Sequence, residues 1–137
     1  PYTAGKLEAV GMDSAGKEIS RSTIQTSARP AAITVVEQVN NLSKGGFGRI
    51  VLQVVDESGV PVMLSADEIT CRINGPLRLM GLEASNNQDM TDYTDNHHRV
   101  FHGRIVVYVQ AADETGEAEV KFTAPWLKGT RVFIGVE

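Results

Sequence analysis

A single cysteine, Cys71, stands in 137 residues. Without a second thiol, neither an internal disulfide nor a cysteine metal cluster can form. Basic residues are also scarce: 13 Lys and Arg stand against 17 Asp and Glu, scattered rather than run together. A net charge of −4 speaks against nucleic acid as a partner, because a phosphate-backbone binder needs a basic surface. No apolar run approaches the roughly 20 residues that a membrane-crossing helix requires, so no membrane partner is expected. No window keeps a 3.6-residue period long enough for a helix of ordinary length. There is no Ser-His-Asp order, no phosphate-binding glycine loop and no nucleotide fingerprint, so no cofactor is implied. The chain opens on Pro1 rather than Met and shows no signal peptide, as expected of a segment cut or processed from a longer protein.

What is present is an apolar content of 42%, enough for a packed core, arranged with a period of two. Ile50, Leu52 and Val54 alternate with the polar Arg49 and Gln53. Ala118, Val120, Phe122 and Ala124 alternate with Glu117, Glu119, Lys121 and Thr123. Ile105, Val107 and Val109 alternate with Arg104, Tyr108 and Gln110. This is the pattern of strands with one buried face. In the alternating run Ile69–Ile73, Cys71 falls on the side of the two isoleucines and reads as a small buried residue.

The punctuation agrees. Asp-x-x-Gly recurs at Asp13–Gly16, Asp56–Gly59 and Asp113–Gly116. An Asp can accept backbone amides at the start of a turn, and a Gly three residues later can take the positive φ that closes it. Strands are therefore expected at about 5–12, 17–26, 31–37, 48–56, 68–74, 77–82, 103–111, 117–124 and 130–136. Short strands at this spacing favour an antiparallel β-sandwich in an all-β chain. Residues 1–28 read as a lone hairpin, the tail of a preceding domain, and Ala28-Arg29-Pro30 as a linker. Residues 29–137 then hold a complete sandwich. A two-stranded hairpin is marginal alone, so a dimer through its uncovered edges is a further expectation.

The longest irregular segment, about 83–102, holds all three histidines, His97, His98 and His102, near Asp95. Neutral imidazoles and an Asp can in principle ligate zinc. Adjacent strand positions point to opposite faces, however, so His97 and His98 should diverge, and the segment reads as an exposed polar loop without a tight metal. Sugar-stacking candidates are Trp126, in the connection between the last two strands, and Tyr93, in the long loop. For Trp126 the competing reading is packing against a neighbouring domain.

Two motifs carry a family resemblance. The opening PYTAGKLEAVGMDSAGKEISRSTIQT, with Pro1, Tyr2, Gly5, Leu7, Ala9, Val10, Gly11, Asp13, Gly16, Lys17, Glu18 and Thr26, resembles the end of an Ig-like domain that follows the catalytic barrel in glycoside hydrolase family 2, the β-galactosidase group. Val54-Val55-Asp56 with Gly59, Ile73-Asn74-Gly75-Pro76, Phe101-His102-Gly103 and Val109-Gln110 are similar to the C-terminal Ig-like domain of the same enzymes. His102 stands where that family usually has Asn.

The resemblance implies an Ig-like β-sandwich preceded by a hairpin from an adjoining Ig-like domain. It also implies a non-catalytic role, with the catalytic carboxylate pair on a barrel elsewhere in a parent hydrolase of β-galactosides or related glycosides. The parent's other domains are the implied partners, glycan is a second candidate, and the implied location is periplasmic or extracellular. An Ig-like repeat of a bacterial surface adhesin and a carbohydrate-binding module are the alternatives.

Overall fold

The computed structural model describes Pro1 and residues 3–137. Among the described residues there are only strands: β1 (Lys6–Met12), β2 (Glu18–Gln25), β3 (Ala32–Gln38), β4 (Asn41–Leu42), β5 (Phe47–Val55), β6 (Glu68–Asn74), β7 (Leu77–Glu83), β8 (His97–Arg99), β9 (Arg104–Ala111), β10 (Gly116–Thr123) and β11 (Thr130–Val136). The nine strands expected from period-two patterning are all present. The two short ones, β4 and β8, are too brief to show any period.

β3-β5-β9-β7 form one sheet and β4-β11-β10-β6-β8 the other. This is the A-B-E-D against C-F-G arrangement of an Ig-like sandwich, with a short parallel β4–β11 pair added on one flank. The alternating side chains meet between the sheets. Ile50, Leu52 and Val54 from β5, and Ile105, Val107 and Val109 from β9, face Ile69 and Cys71 of β6 and Val120 and Phe122 of β10, all essentially inaccessible. Burial drives the fold because each large aliphatic side chain removed from water is worth about 1.5–3 kcal/mol.

The sheet edges are managed. Val36 and Met80 are single-residue bulges in β3 and β7, the two edge strands of the four-stranded sheet. A bulge twists an edge out of register with any incoming strand. The long segment after β7 also covers that edge, since the Leu82 N–H donates to the Tyr93 carbonyl at 2.8 Å. Its irregularity thus has a structural use: it crosses from the β7 edge of one sheet to the β8 edge of the other.

β1 and β2 pair only with each other. Leu7, Ala9 and Gly11 lie opposite Ile24, Ser22 and Ser20 on one face, while Lys6, Glu8 and Arg21 share the other. Glu8 pairs with Lys6 at 2.8 Å and Arg21 at 3.2 Å. Every residue of β1 and β2 except Gly11 is exposed.

Two Asp-Gly turns form as the motif implies. Asp13 and Asp56 each accept two backbone N–H groups on Oδ1, and Gly16 and Gly59 adopt φ 78° and 81°. Asp56 does more: its Oδ2 accepts the Ala28 N–H at 2.8 Å, tying the hairpin's linker to the end of β5. Asp113–Gly116 instead carries the chain from β9 in one sheet to β10 in the other.

Candidate functional site

The histidine cluster comes apart. His97 and His98 lie on β8, which pairs with β6, rather than in an open loop. Their side chains diverge: His97 is exposed, whereas His98 is 7% accessible, which corrects the expectation that all three are exposed. His98 Nδ1 lies 2.9 Å from the Arg99 carbonyl, and its Nε2 is 3.9 Å from Asp89 Oδ2. Its burial comes from register: the position faces inward beside Ile69, where a third strand extends β6. His97 Nδ1 sits 3.6 Å from Asp95, a surface contact. His102 is a turn residue on a separate connection. Among the described residues, no three His, Cys, Asp or Glu side chains form a group that could hold a metal ion.

The carboxylates with defined partners are engaged in local structure. Glu37 pairs with Arg49 and Glu119 with Arg131. Asp67 accepts the Ser65 hydroxyl. Asp89 and Asp92 each accept the hydroxyl and N–H of a Thr two residues later, and those bonds, hydroxyl first, hold both below the usual carboxylate range. Burial pushes the Cys71 thiol up to about 12, so it is no nucleophile at neutral pH.

Both aromatic candidates are accessible. Tyr93 is 62% exposed, and Trp126 is fully exposed at φ 66°. Trp126 follows Pro125 in a turn closed from the Leu127 N–H to the Ala124 carbonyl at 3.4 Å, a position that normally favours Gly or Asn. Neither candidate lines the cleft formed by Gln53, Glu83, Phe101, His102 and Arg104.

A concavity lies elsewhere, on the pole of the sandwich near the hairpin linker. It measures about 480 Å³ and falls in the size range of small-ligand sites. Its floor is the outer face of β5, β9 and β7, from Gln53, Arg104, Val106 and Glu83; its walls are Met63, Phe101 and His102.

The turn that builds one wall follows from the sequence. Phe101 and Arg104 exchange backbone bonds at 3.1 and 3.0 Å around His102 at φ 50° and Gly103 at φ 71°. Two central residues of positive φ make a type I′ two-residue hairpin, for which Asn-Gly is the preferred pair. This explains the Asn at this place in the resembling family. It also shows what His102 brings instead: an imidazole 4.1 Å from the Phe101 ring, at 58° to it.

Gln53, one of the polar residues alternating with the apolar set of β5, is only 6% accessible. The connections 60–65 and 100–104 fold over that part of β5, and Gln53 Nε2 donates to the Gly103 carbonyl at 3.0 Å, pinning the turn. The cleft was not legible beforehand because its walls come from two separate connections and its floor from three strands. The only forewarning was Phe-His-Gly, a two-residue turn between apolar runs.

The profile of "Glycoside hydrolase family 2 C-terminal domain 5" matches residues 32–132. Comparison with curated proteins finds no match. Among solved structures, a β-glycosidase from Bacteroides vulgatus is 29% identical, with a TM-score of 0.92, covering 99% of this chain and 18% of that one. A glycosyl hydrolase family 2 member from Bacteroides cellulosilyticus is 20% identical (TM-score 0.89), covering 100% and 18%. A family 2 β-glucuronidase is also 20% identical (TM-score 0.80), covering 99% and 14%. The chain thus spans less than a fifth of the length of these relatives. The first of these superpositions takes in 99% of the chain, and Tyr2 of the opening motif lies outside the described residues. With the profile covering most of the sandwich, the chain belongs to the glycoside hydrolase family 2 C-terminal domain 5 family.

Proposed function

We propose that this chain is a non-catalytic accessory region of a longer family 2 glycoside hydrolase, and that its hairpin is part of the sheet of a preceding domain. One observation carries the reading. The hairpin is exposed on both faces, too bare to hold an orientation by packing. Yet hairpin and sandwich together superimpose, over 99% of the chain at a TM-score of 0.92, on a β-glycosidase of which they make up 18%. An arrangement that the fragment stabilises so weakly, recurring inside a longer enzyme, supports a hairpin that belongs to a neighbour's sheet. The family match at residues 32–132, inside the sandwich, supports a boundary near residue 29. The engagement of the carboxylates in turns and ion pairs supports the absence of a glycosidic acid–base pair, which needs two facing carboxyls at a defined separation. The parent's activity on β-glycosides, its particular sugar and its periplasmic or extracellular location belong to the same proposal.

Two measurements test it. The purified chain should release no nitrophenol from nitrophenyl β-galactoside, β-glucuronide or β-mannoside above buffer. Turnover that survives repurification overturns the non-catalytic reading. Residues 30–137 should fold alone with a melting temperature close to that of residues 1–137, and should be monomeric even if the longer form dimerises through β1 and β2. Loss of folding on deletion would assign the hairpin to the sandwich's own core and refute the boundary.

A further inference from the structure

The cleft at the hairpin pole holds chemistry that an accessory packing role leaves unused. The Arg104 guanidinium on its floor has no ion-pair or hydrogen-bond partner among the described residues. Gln53 uses its amide N–H for the Gly103 and Val54 carbonyls, which leaves its side-chain oxygen without a bond. No fully buried side-chain oxygen in the described structure lacks a partner, so that oxygen keeps some solvent access, and Gln53 lines the cleft. The Glu83 carboxylate binds the Ser85 N–H through one oxygen and leaves the other free. Donor and acceptor groups therefore alternate around an apolar strip formed by Val106, and the Phe101–His102 ring pair stands at its side.

Backbone strain points to the same place. Among the described residues, three non-glycine residues have positive φ, and two of them, Ser85 at 59° and His102 at 50°, sit on the rim of this cleft. Such conformations cost free energy and tend to collect at ligand sites. His102 also replaces the Asn that a type I′ turn prefers, and the replacement adds an aromatic surface to the wall.

We infer that this cleft is a carbohydrate subsite, taking one pyranose ring. Arg104, Gln53 and Glu83 suit adjacent hydroxyl groups, which need donors and acceptors close together. The Phe101 and His102 rings suit the C–H face of the sugar. A purely aliphatic occupant would bury Arg104 and Glu83 without partners, which is costly. The site is distinct from the exposed Trp126. It makes the accessory region a weak anchor for the glycan that the parent enzyme degrades.

The test is a titration of the 137-residue chain with methyl β-glucopyranoside, methyl β-galactopyranoside and methyl β-glucuronide, followed by amide and side-chain NMR. Saturable shifts are expected at the Gln53 side-chain amide, Gly103 and Arg104, with millimolar affinity for at least one probe. Preference for the glucuronide would show that Arg104 reads a carboxylate; equal binding would show that it reads hydroxyls. Arg104→Ala, a change at an exposed side chain, should weaken binding about tenfold or more. His102→Asn, which keeps the turn, should weaken it by a smaller factor, and Trp126→Ala should leave it unchanged. No saturable shift in the cleft with any of the three sugars, or binding that depends on Trp126 and not on Arg104, overturns the inference. Cleft signals that move with protein concentration alone would show that a second copy fills the groove, and would overturn it equally.

Discussion

Replacing Gly103 by Ala tests the architecture of the cleft at its tightest point. Gly103 has φ 71°, and a Cβ placed there would lie 2.4 Å from the Val62 carbonyl oxygen and 2.8 Å from Gln53 Nε2. A left-handed conformation costs an L residue about 1–2 kcal/mol. The clash adds to this, because a backbone oxygen cannot swing aside as a flexible side chain can. Relief would draw the Gly103 carbonyl away from the Val54 N–H at 2.7 Å and from Gln53 Nε2 at 3.0 Å. Each bond is worth about 1 kcal/mol, so the expected loss is about 3–4 kcal/mol in all. Gly59 provides the control. It has φ 81° but nothing within 4 Å of an added Cβ, so Gly59→Ala should cost only the conformational part, about 1 kcal/mol. The assay is equilibrium urea unfolding followed by circular dichroism. Fluorescence is a poor probe because the one tryptophan is already fully exposed in the folded state. If the two variants lose the same stability, within about 0.5 kcal/mol, the packing of the 101–104 turn against β5 is not as described.

Phe122 is fully buried between the sheets, and Phe122→Ala should cost about 3–5 kcal/mol in the same unfolding assay; a cost below about 1 kcal/mol would place it outside the core. Cys71, its thiol pushed up to about 12 by burial, should resist iodoacetamide at pH 8 in the folded protein and react once urea is added; rapid labelling of the native state would contradict its position on β6. The Asp56 carboxylate is held below its ordinary value of 3.8 by the Ala28 N–H first, then those of Val60 and Ser58. A lowered folded value means that its stabilisation is complete above 3.8 and is lost as pH falls through the folded value. Asp56→Asn should therefore be less stable at neutral pH and show a shallower loss of stability in acid; an unchanged acid profile would mean that the carboxylate carries no such linkage.

The strands and turns were legible in the sequence because they depend on short-range rules. The two-residue alternation of Ile105–Val109 and Ala118–Phe122 fixes which face is buried, since a strand turns its side chains alternately to either side. Asp56 and Gly59 make their turn within five residues, whatever surrounds them. Even the divergence of His97 and His98 follows from adjacency on a strand. Only tertiary structure could decide that β8 would pair with β6 and draw His98 inward, or that the 60–65 and 100–104 connections would bury Gln53. The same holds for the cleft. Gln53, Glu83 and Arg104 lie 21 to 51 positions apart in sequence, and they share a surface because β5 and β7 both pair with β9. Sheet pairing is a long-range choice made by the whole core, and no local pattern encodes which outer-face residues it will set side by side.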